Sequence, residues 1–154
     1  MLPGFTAGSR QITFEQLSAL PSDGAAMYRS LIELAGGAGP SPDQEAFTII
    51  GDLLRAAPVP GSVRAGLYRG AAHVKGVRYA GAVRDELGRP GLAVELRERD
   101  RVRRLVFDPA TSQLLAEQER LIERQPYVDA DPGCVMGYRL VLESGVVKDD
   151  SARP

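Results

Sequence analysis

The stretch "RRLVFDPATSQLL" (Arg103–Leu115) decides the fold, because it reads as two strands joined by a tight turn. Asp108 and Pro109 suit the first two positions of a type I turn. A strand with one solvated face alternates apolar and polar side chains. Here Leu105–Phe107 and Leu114–Leu115 are apolar at consecutive positions, so both faces of this hairpin should be buried. Some further part of the protein must therefore cover the second face of the hairpin.

Segments on both sides of this hairpin also have the pattern of strands. Apolar residues alternate in two segments before it, which are Val77, Tyr79, Gly81 and Val83, then Leu92, Val94 and Leu96. A last strand is predicted from about Met136 to Val147, with Tyr138, Leu140 and Leu142 on one face. The connections are too short for parallel crossovers. Residues 76–147 therefore predict an antiparallel sheet of four to five strands.

Three helices are predicted ahead of the sheet, within residues 22–75. Ser22–Asp23 begins the first, which ends near Gly36–Gly37. Ser41 is the N-cap of the second, with proline at the first helical position, and the helix should end near Ala57. The third should run from about Ser62 to Val74. Residues 1–21 are expected to form an irregular arm, with one helical turn capped by Thr13 and Gln16, and residues 148–154 a frayed tail.

These elements predict a single α+β domain over residues 1–154, with three helices on one face of the antiparallel sheet. Shared apolar periodicity predicts a core in which Phe47, Ile50, Leu54 and Leu67 pack against Leu92, Val94 and Leu96. Helices on one face leave the second face of the hairpin without cover. Two covers are expected to compete for it, a second copy of the chain in a symmetric dimer and the N-terminal segment Phe5–Leu20.

Composition restricts the classes of function. The chain has 19 basic and 20 acidic residues and a net charge of −1, which argues against a nucleic-acid-binding surface. No apolar run approaches the ~18 residues of a membrane span. The chain has one histidine, one cysteine and no acid cluster with metal-ligand spacing, so neither a metal nor another cofactor is predicted.

The individual polar motifs also predict no catalytic residue. His73 has no acidic residue at helical spacing. Cys134 precedes an apolar strand and is interpreted as a small, partly buried residue. Five arginines between Arg97 and Arg104 are interpreted as charge protection of an edge strand. Glu117 and Glu119 on the next strand are expected to pair with them.

Four segments resemble, in order, the C-terminal half of an uncharacterised actinobacterial family. They are "LPGFTAGSRQITFEQLSALP", "AFTIIGDLLRAAPVP", "VRDELGRPGLAVEL" and "LVFDPATSQLLAEQERLI". Members of that family are single-pass membrane proteins often encoded beside alternative sigma factors. The resemblance covers nearly the whole chain and implies a regulatory or sensor role outside the membrane, but it supplies no catalytic residues.

The chain departs from that family in two ways. It does not contain the cytoplasmic tail, the membrane helix or the strand-rich N-terminal half, which in longer members is expected to cover the second face. Family members usually have glycine after the DPAT turn, where this chain has Ser112, so the bulge at this position is expected to differ. A stand-alone chain would be cytoplasmic, and a fragment of the anchored family would be extracytoplasmic.

Two functions are predicted from these observations. The first is a non-enzymatic binding or regulatory, sensor-like domain that associates with itself or another protein through the sheet, or takes a small apolar ligand. Its candidate binding residues are Tyr79, Leu105, Phe107, Leu115 and Tyr138. The alternative is a small enzyme or small-molecule-binding protein with a pocket on the concave face of the sheet. Convergence of Tyr79, Tyr138, His73 and Cys134 in one deep pocket would favour the enzyme.

Overall fold

The computed structural model describes residues 4–145, and in them it contains four helices and two antiparallel sheets. The elements are β1 (Phe5–Ala7), β2 (Arg10–Ile12), α1 (Phe14–Ser18), α2 (Gly24–Ala35), α3 (Pro42–Ala56), α4 (Gly61–Ala71), β3 (Val77–Arg84), β4 (Pro90–Arg97), β5 (Arg101–Phe107), β6 (Leu114–Leu121) and β7 (Val135–Leu140). This confirms the predicted α+β class with an antiparallel sheet. The expected tail, residues 148–154, lies outside the described residues.

The five strands of the main sheet are ordered β3-β4-β5-β6-β7, as in the chain, and every neighbouring pair is antiparallel. Leu105 pairs with Val94 on β4, whereas Val106 pairs with Ala93 on β4 and Ala116 on β6. Successive side chains on a strand point to opposite faces. Leu105 therefore faces the helices, and Val106 lies on the second face.

Local capping signals begin the helices where the sequence predicts them. The side chain of Asp23 accepts a hydrogen bond from the backbone N–H of Ala26 at the start of α2. Ser41 caps α3 in the same way. Thr13 and Gln16 form a complete capping box at α1.

Residues 4–21 form regular structure, which corrects the expectation of an irregular arm. They contain the hairpin β1–β2 and the short helix α1. Gly8 makes the tight turn with a φ of +61°. Its N–H donates to Asp52 on α3 (3.0 Å), and the N–H of Ser9 donates to Glu45 on α3 (3.1 Å). Two carboxylates of α3 thus attach the hairpin to the helical layer.

The main core lies between the helices and the sheet. Phe47, Ile50, Leu67 and Leu96 are buried there as predicted, whereas Leu54, Val94 and Leu92 are only half-buried. The neighbouring Leu53 is fully buried, so α3 is rotated from the predicted orientation.

The N-terminal hairpin and α1 contribute to this same core, which excludes them as the cover of the second face. Ala7, Ile12 and Leu17 are buried among the helices, and Phe14 remains exposed. Phe107 packs instead against Tyr68 of α4, with ring centroids 4.2 Å apart.

The connection between β3 and β4, residues 85–89, makes polar contacts with the second face, where the side chains of Ala80, Val83, Leu115 and Leu140 pack on the buried residues. There Ala93, Val106 and Ala116 are fully buried. The guanidinium of Arg89 donates to the carbonyls of Leu115 (3.0 Å) and Val141 (2.9 Å). Glu86 accepts from the side chain of Gln118 at 2.8 Å. Val106 and its neighbours on the second face are therefore buried by residues of the same chain.

Candidate functional site

A cleft of about 370 Å³ lies between α3 and the strands β5, β6 and β7. Its apolar lining includes Phe47 and Leu105, and Gly51 brings the helix backbone close to the sheet. A Cβ at Gly51 would approach Oε1 of Glu117 to 2.8 Å. The remaining lining comprises Gly137 and the polar or charged residues Thr48, Asp52, Arg55, Arg103, Arg104, Glu117, Gln118, Glu119, Tyr138 and Arg139.

Arg55 joins the helical wall of the cleft to the sheet. Its guanidinium donates to Asp52 one turn earlier and to Glu117 on β6, each at 2.7 Å. Burial alone would lower the pKa of Arg55, but hydrogen bonds to Glu117 and Asp52 raise it above its ordinary value. These two ion pairs hold α3 against β6 and neutralise the charge of Arg55.

Arg103 closes one end of the cleft. Its guanidinium donates to Glu98 (2.7 Å), to the hydroxyl of Thr48 (2.9 Å) and to the carbonyl of Gln44 (3.1 Å). It also lies over the ring of Phe47, 5.3 Å from the centroid. With these partners Arg103 holds α3 on the sheet.

Arg139 at the mouth of the cleft is held much more loosely. Its guanidinium is 3.8 Å from a carboxylate oxygen of Glu117, and 71% of the side chain is exposed. That distance exceeds a normal hydrogen bond. Arg139 can therefore meet another carboxylate brought to the mouth of the cleft.

β7 forms the sheet edge beside this cleft. Val135, Met136 and Tyr138 are exposed along it, and Tyr138 is 57% exposed. The N–H of Val141 donates to Leu115 on β6 at 2.8 Å. Because backbone groups alternate sides along a strand, the N–H groups of Tyr138 and Leu140 point away from β6. Within residues 4–145, no strand pairs with these two N–H groups.

The opposite edge, β3, carries the features that discourage strand addition. Its pairing with β4 shifts register between Tyr79 and Gly81, and Gly81 has a φ of +81°. Arg78 and Arg84 add charge to the same strand. Bulges and charges of this kind protect sheet edges from pairing. β7 also carries a charge, Arg139, and its pairing with β6 shifts register between Gly137 and Val135, so its regular part is Gly137–Leu140.

The five predicted binding residues do not form one site. Leu105 and Tyr138 border the cleft. Leu115 lies on the second face near Gly91, and Phe107 is stacked on Tyr68. Tyr79 is on β3, at the other edge of the sheet.

The polar groups of the enzyme alternative are also dispersed. Tyr79 and Tyr138 lie on opposite edge strands. His73 is exposed after α4, and its ring centroid is 6.3 Å from that of Tyr28. Cys134 is exposed before β7. These four side chains do not converge in the cleft. The cleft itself lies on the helical side of the sheet.

Two interpretations of charged residues need correction. The arginine-rich strand β5 is central in the sheet, so its charges do not protect an edge. They form ion pairs within the domain instead, as Arg104 does with Glu95 on the second face. Glu119 pairs with Arg101 as predicted, whereas Glu117 pairs at 2.7 Å with Arg55 of α3.

Sequence reasoning missed Asp52, Arg55 and Arg139 as residues of the cleft. The spacing of Asp52 and Arg55 on a helix predicts their mutual ion pair. Nothing in the sequence indicates that Arg55 also reaches Glu117.

Comparison with known proteins identifies no relative, since no protein-family model, curated protein or solved structure matches this chain. Among residues 4–145, no helix has both the length and the apolar character needed to cross a bilayer. The same residues contain no group of three or more histidine, cysteine or acidic side chains placed to hold a metal ion.

Proposed function

We propose that this chain is a non-enzymatic binding domain that takes up an extended segment of a protein along β7. The observation that carries the proposal is the open, apolar edge of β7 beside a cleft. Extended peptides add to such edges through main-chain hydrogen bonds, and neighbouring pockets select their side chains.

The cleft supports selectivity in this binding mode. An incoming strand would pair with the outward N–H groups of Tyr138 and Leu140. Its side chains on the helical side would lie over the mouth of the cleft, where Arg139 favours an acidic residue. Phe47 and Leu105 supply apolar surface deeper in the cleft.

The dispersal of Tyr79, Tyr138, His73 and Cys134 supports binding rather than catalysis, because acid–base or nucleophilic chemistry needs such groups within hydrogen-bond reach. The resemblance to the actinobacterial membrane-protein family extends the proposal to a regulatory or sensor role, with the bound segment as the regulated partner.

Selection from a displayed library of random twelve-residue peptides tests this function. The enriched peptides should alternate apolar residues and bind by fluorescence anisotropy. Tyr138→Pro removes an outward N–H without removing a bond to β6, and it should weaken binding at least tenfold. The matched variant Tyr138→Ala keeps that N–H and should bind within about threefold of the unmodified chain.

Thermal unfolding of both variants establishes that they are folded. The proposal fails if no peptide is enriched above background. It also fails if folded Tyr138→Pro and Tyr138→Ala bind the enriched peptides equally well, because main-chain pairing at β7 would then not contribute.

A further inference from the structure

We infer that Asp85 and Arg89 of the β3–β4 connection form a latch that holds the C-terminal end of β7, and that β7 separates from β6 when this latch is released while the rest of the domain stays folded. The inference rests on the binding role proposed for β7, because it identifies what keeps that strand in place. β7 supplies Gly137, Tyr138 and Arg139 to the cleft. A contact made by the connection at the second face therefore controls one wall of the cleft on the helical side.

β7 contributes little buried surface to the domain. Residues 135–139 are exposed and Leu140 is half-buried, whereas β4, β5 and β6 each contain fully buried side chains. Residues 122–134, the longest connection in the main sheet, join β6 to β7. The other edge strand, β3, packs Val77 and Val83 against the two apolar cores. Because segments with few buried apolar contacts open at a lower free-energy cost than the core, β7 is the strand that opens first.

Arg89 makes the side-chain contact that holds this strand. Its guanidinium donates to the carbonyl of Val141, which directly follows β7, at 2.9 Å, and to the carbonyl of Leu115 on β6 at 3.0 Å. In the described part of the chain, no other side chain forms a hydrogen bond with residues 135–145. The other bonds between β6 and β7 join backbone groups. Since an ionised donor makes a stronger hydrogen bond than a neutral one, Arg89 supplies a large share of what holds the end of the strand.

Asp85 places the guanidinium where it reaches both carbonyls. The side chain of Asp85 is fully buried and pairs with Arg89 Nε at 2.6 Å. Nη1 and Nη2 are left to donate to Val141 and Leu115. Neither Asp85 nor Arg89 lines the cleft. A substitution in the latch therefore changes the attachment of β7 without changing a residue of the cleft or of the strand.

Amide hydrogen exchange of Arg89→Lys tests the latch. A single ammonium group lacks the planar fork of the guanidinium, so it cannot bond Asp85 and both carbonyls at once. The amide of Val141 is bonded to Leu115, and the amide of Arg139 points toward β6 in the same way. Both amides should exchange at least about tenfold faster in Arg89→Lys than in the unmodified chain, whereas the amides of β5 should accelerate less than about threefold.

Arg84→Lys is the matched control. Arg84 donates to the carbonyl of Gly88 in the same connection at 2.7 Å, and in the described residues it forms no hydrogen bond with β7. This variant should leave the exchange of the same two amides within about twofold of the unmodified chain. Asp85→Asn keeps Arg89 but removes the charge that orients it, so it should accelerate both amides at least about threefold. Thermal unfolding establishes that all three variants are folded.

A segment bound to β7 should keep the strand closed. A ligand that binds one state of an equilibrium shifts it by a factor of 1 + [L]/Kd, so a library-selected peptide at about ten times its Kd should slow both amides about tenfold. A selected peptide that binds without slowing them would overturn the coupling between latch and binding site.

Two results overturn the latch itself. One is an Arg89→Lys variant in which the two amides change no more than in Arg84→Lys. The other is an equal acceleration of β5, because β7 would then open only with the whole domain. Exchange is first measured without a peptide, so a library that yields no binder would contradict the binding function and leave the latch standing. Selected binders together with an unchanged Arg89→Lys variant would do the reverse.

Discussion

At the scale of single residues, Ser112 is held by its place in the turn in a backbone conformation that is unfavourable for serine. The resembling family usually has glycine at this position, after the DPAT turn. Ser112 adopts a φ of +57°, the left-handed conformation that glycine accepts most readily. Its hydroxyl accepts a hydrogen bond from Arg64 Nε at 3.0 Å. The serine therefore carries the strain of a left-handed conformation in this turn.

Two substitutions separate these effects. Ser112→Ala and Ser112→Gly both remove the bond from Arg64, but only glycine relieves the strain. We expect Ser112→Gly to be more stable than Ser112→Ala by about 1 kcal/mol in urea unfolding. Equal stabilities would mean that the left-handed conformation costs little at this position.

Tyr68 carries a buried hydroxyl for which no hydrogen-bond partner is found in the described part of the chain. Burial raises the pKa of Tyr68, and its ring packs on Phe107. Because an unpaired buried hydroxyl costs free energy, Tyr68→Phe should leave stability unchanged or raise it by up to about 1 kcal/mol. Tyr68→Ala, which removes the ring, should lower it by about 3 kcal/mol. Thermal and urea unfolding measure both. A loss above about 1 kcal/mol in Tyr68→Phe would show that the hydroxyl has a partner.

At the scale of elements, the β3–β4 connection is held by one buried carboxylate. Asp85 accepts backbone N–H groups from Leu87 and Arg89, each at 2.9 Å, and pairs with Arg89 Nε at 2.6 Å. Burial alone would raise the pKa of Asp85, but the backbone and side-chain hydrogen bonds from Arg89 bring it below its ordinary value. Asp85 thereby orients the guanidinium that reaches Leu115 and Val141.

This pKa shift has a defined effect on stability. A carboxyl whose pKa is lower in the folded chain stabilises the fold above its unfolded pKa of about 3.9, and the contribution disappears as pH falls through the folded value. Urea unfolding from pH 7 to pH 2 should therefore show Asp85→Asn less stable than the unmodified chain at neutral pH. The difference should shrink below about pH 4. A difference that stayed constant over the whole range would contradict this role of the charge.

At the scale of the whole molecule, the orientation of α3 decides which leucine supports the core. Leu53 is fully buried and Leu54 is half-buried. Leu53→Ala should cost about 3–5 kcal/mol, whereas Leu54→Ala should cost about 1–2 kcal/mol, because its site is already partly open to solvent. Urea unfolding of the two variants measures the contrast. The reverse order would mean that α3 is turned toward the orientation predicted from the sequence.

The sequence predicts those parts of this molecule that depend on local signals. Ser41 and Asp23 predict helix starts, and the alternation of Leu92, Val94 and Leu96 predicts a strand. The orientation of α3 is ambiguous, because Leu53 and Leu54 both belong to one wide apolar stripe. The polar contacts of the β3–β4 connection with the second face include that between Arg89 and Leu115, 26 residues apart. The cleft wall depends on Arg55 and Glu117, which are 62 residues apart. Neither contact can be predicted from the local pattern of the sequence.

The agreement between strand order and chain order has a consequence for synthesis. On the ribosome the chain emerges from its N-terminal end, at about 5–20 residues per second. Each strand from β4 to β7 therefore finds its neighbour already outside the exit tunnel. β7 appears after the other four strands, so this edge of the sheet forms only when the earlier strands have had time to pair.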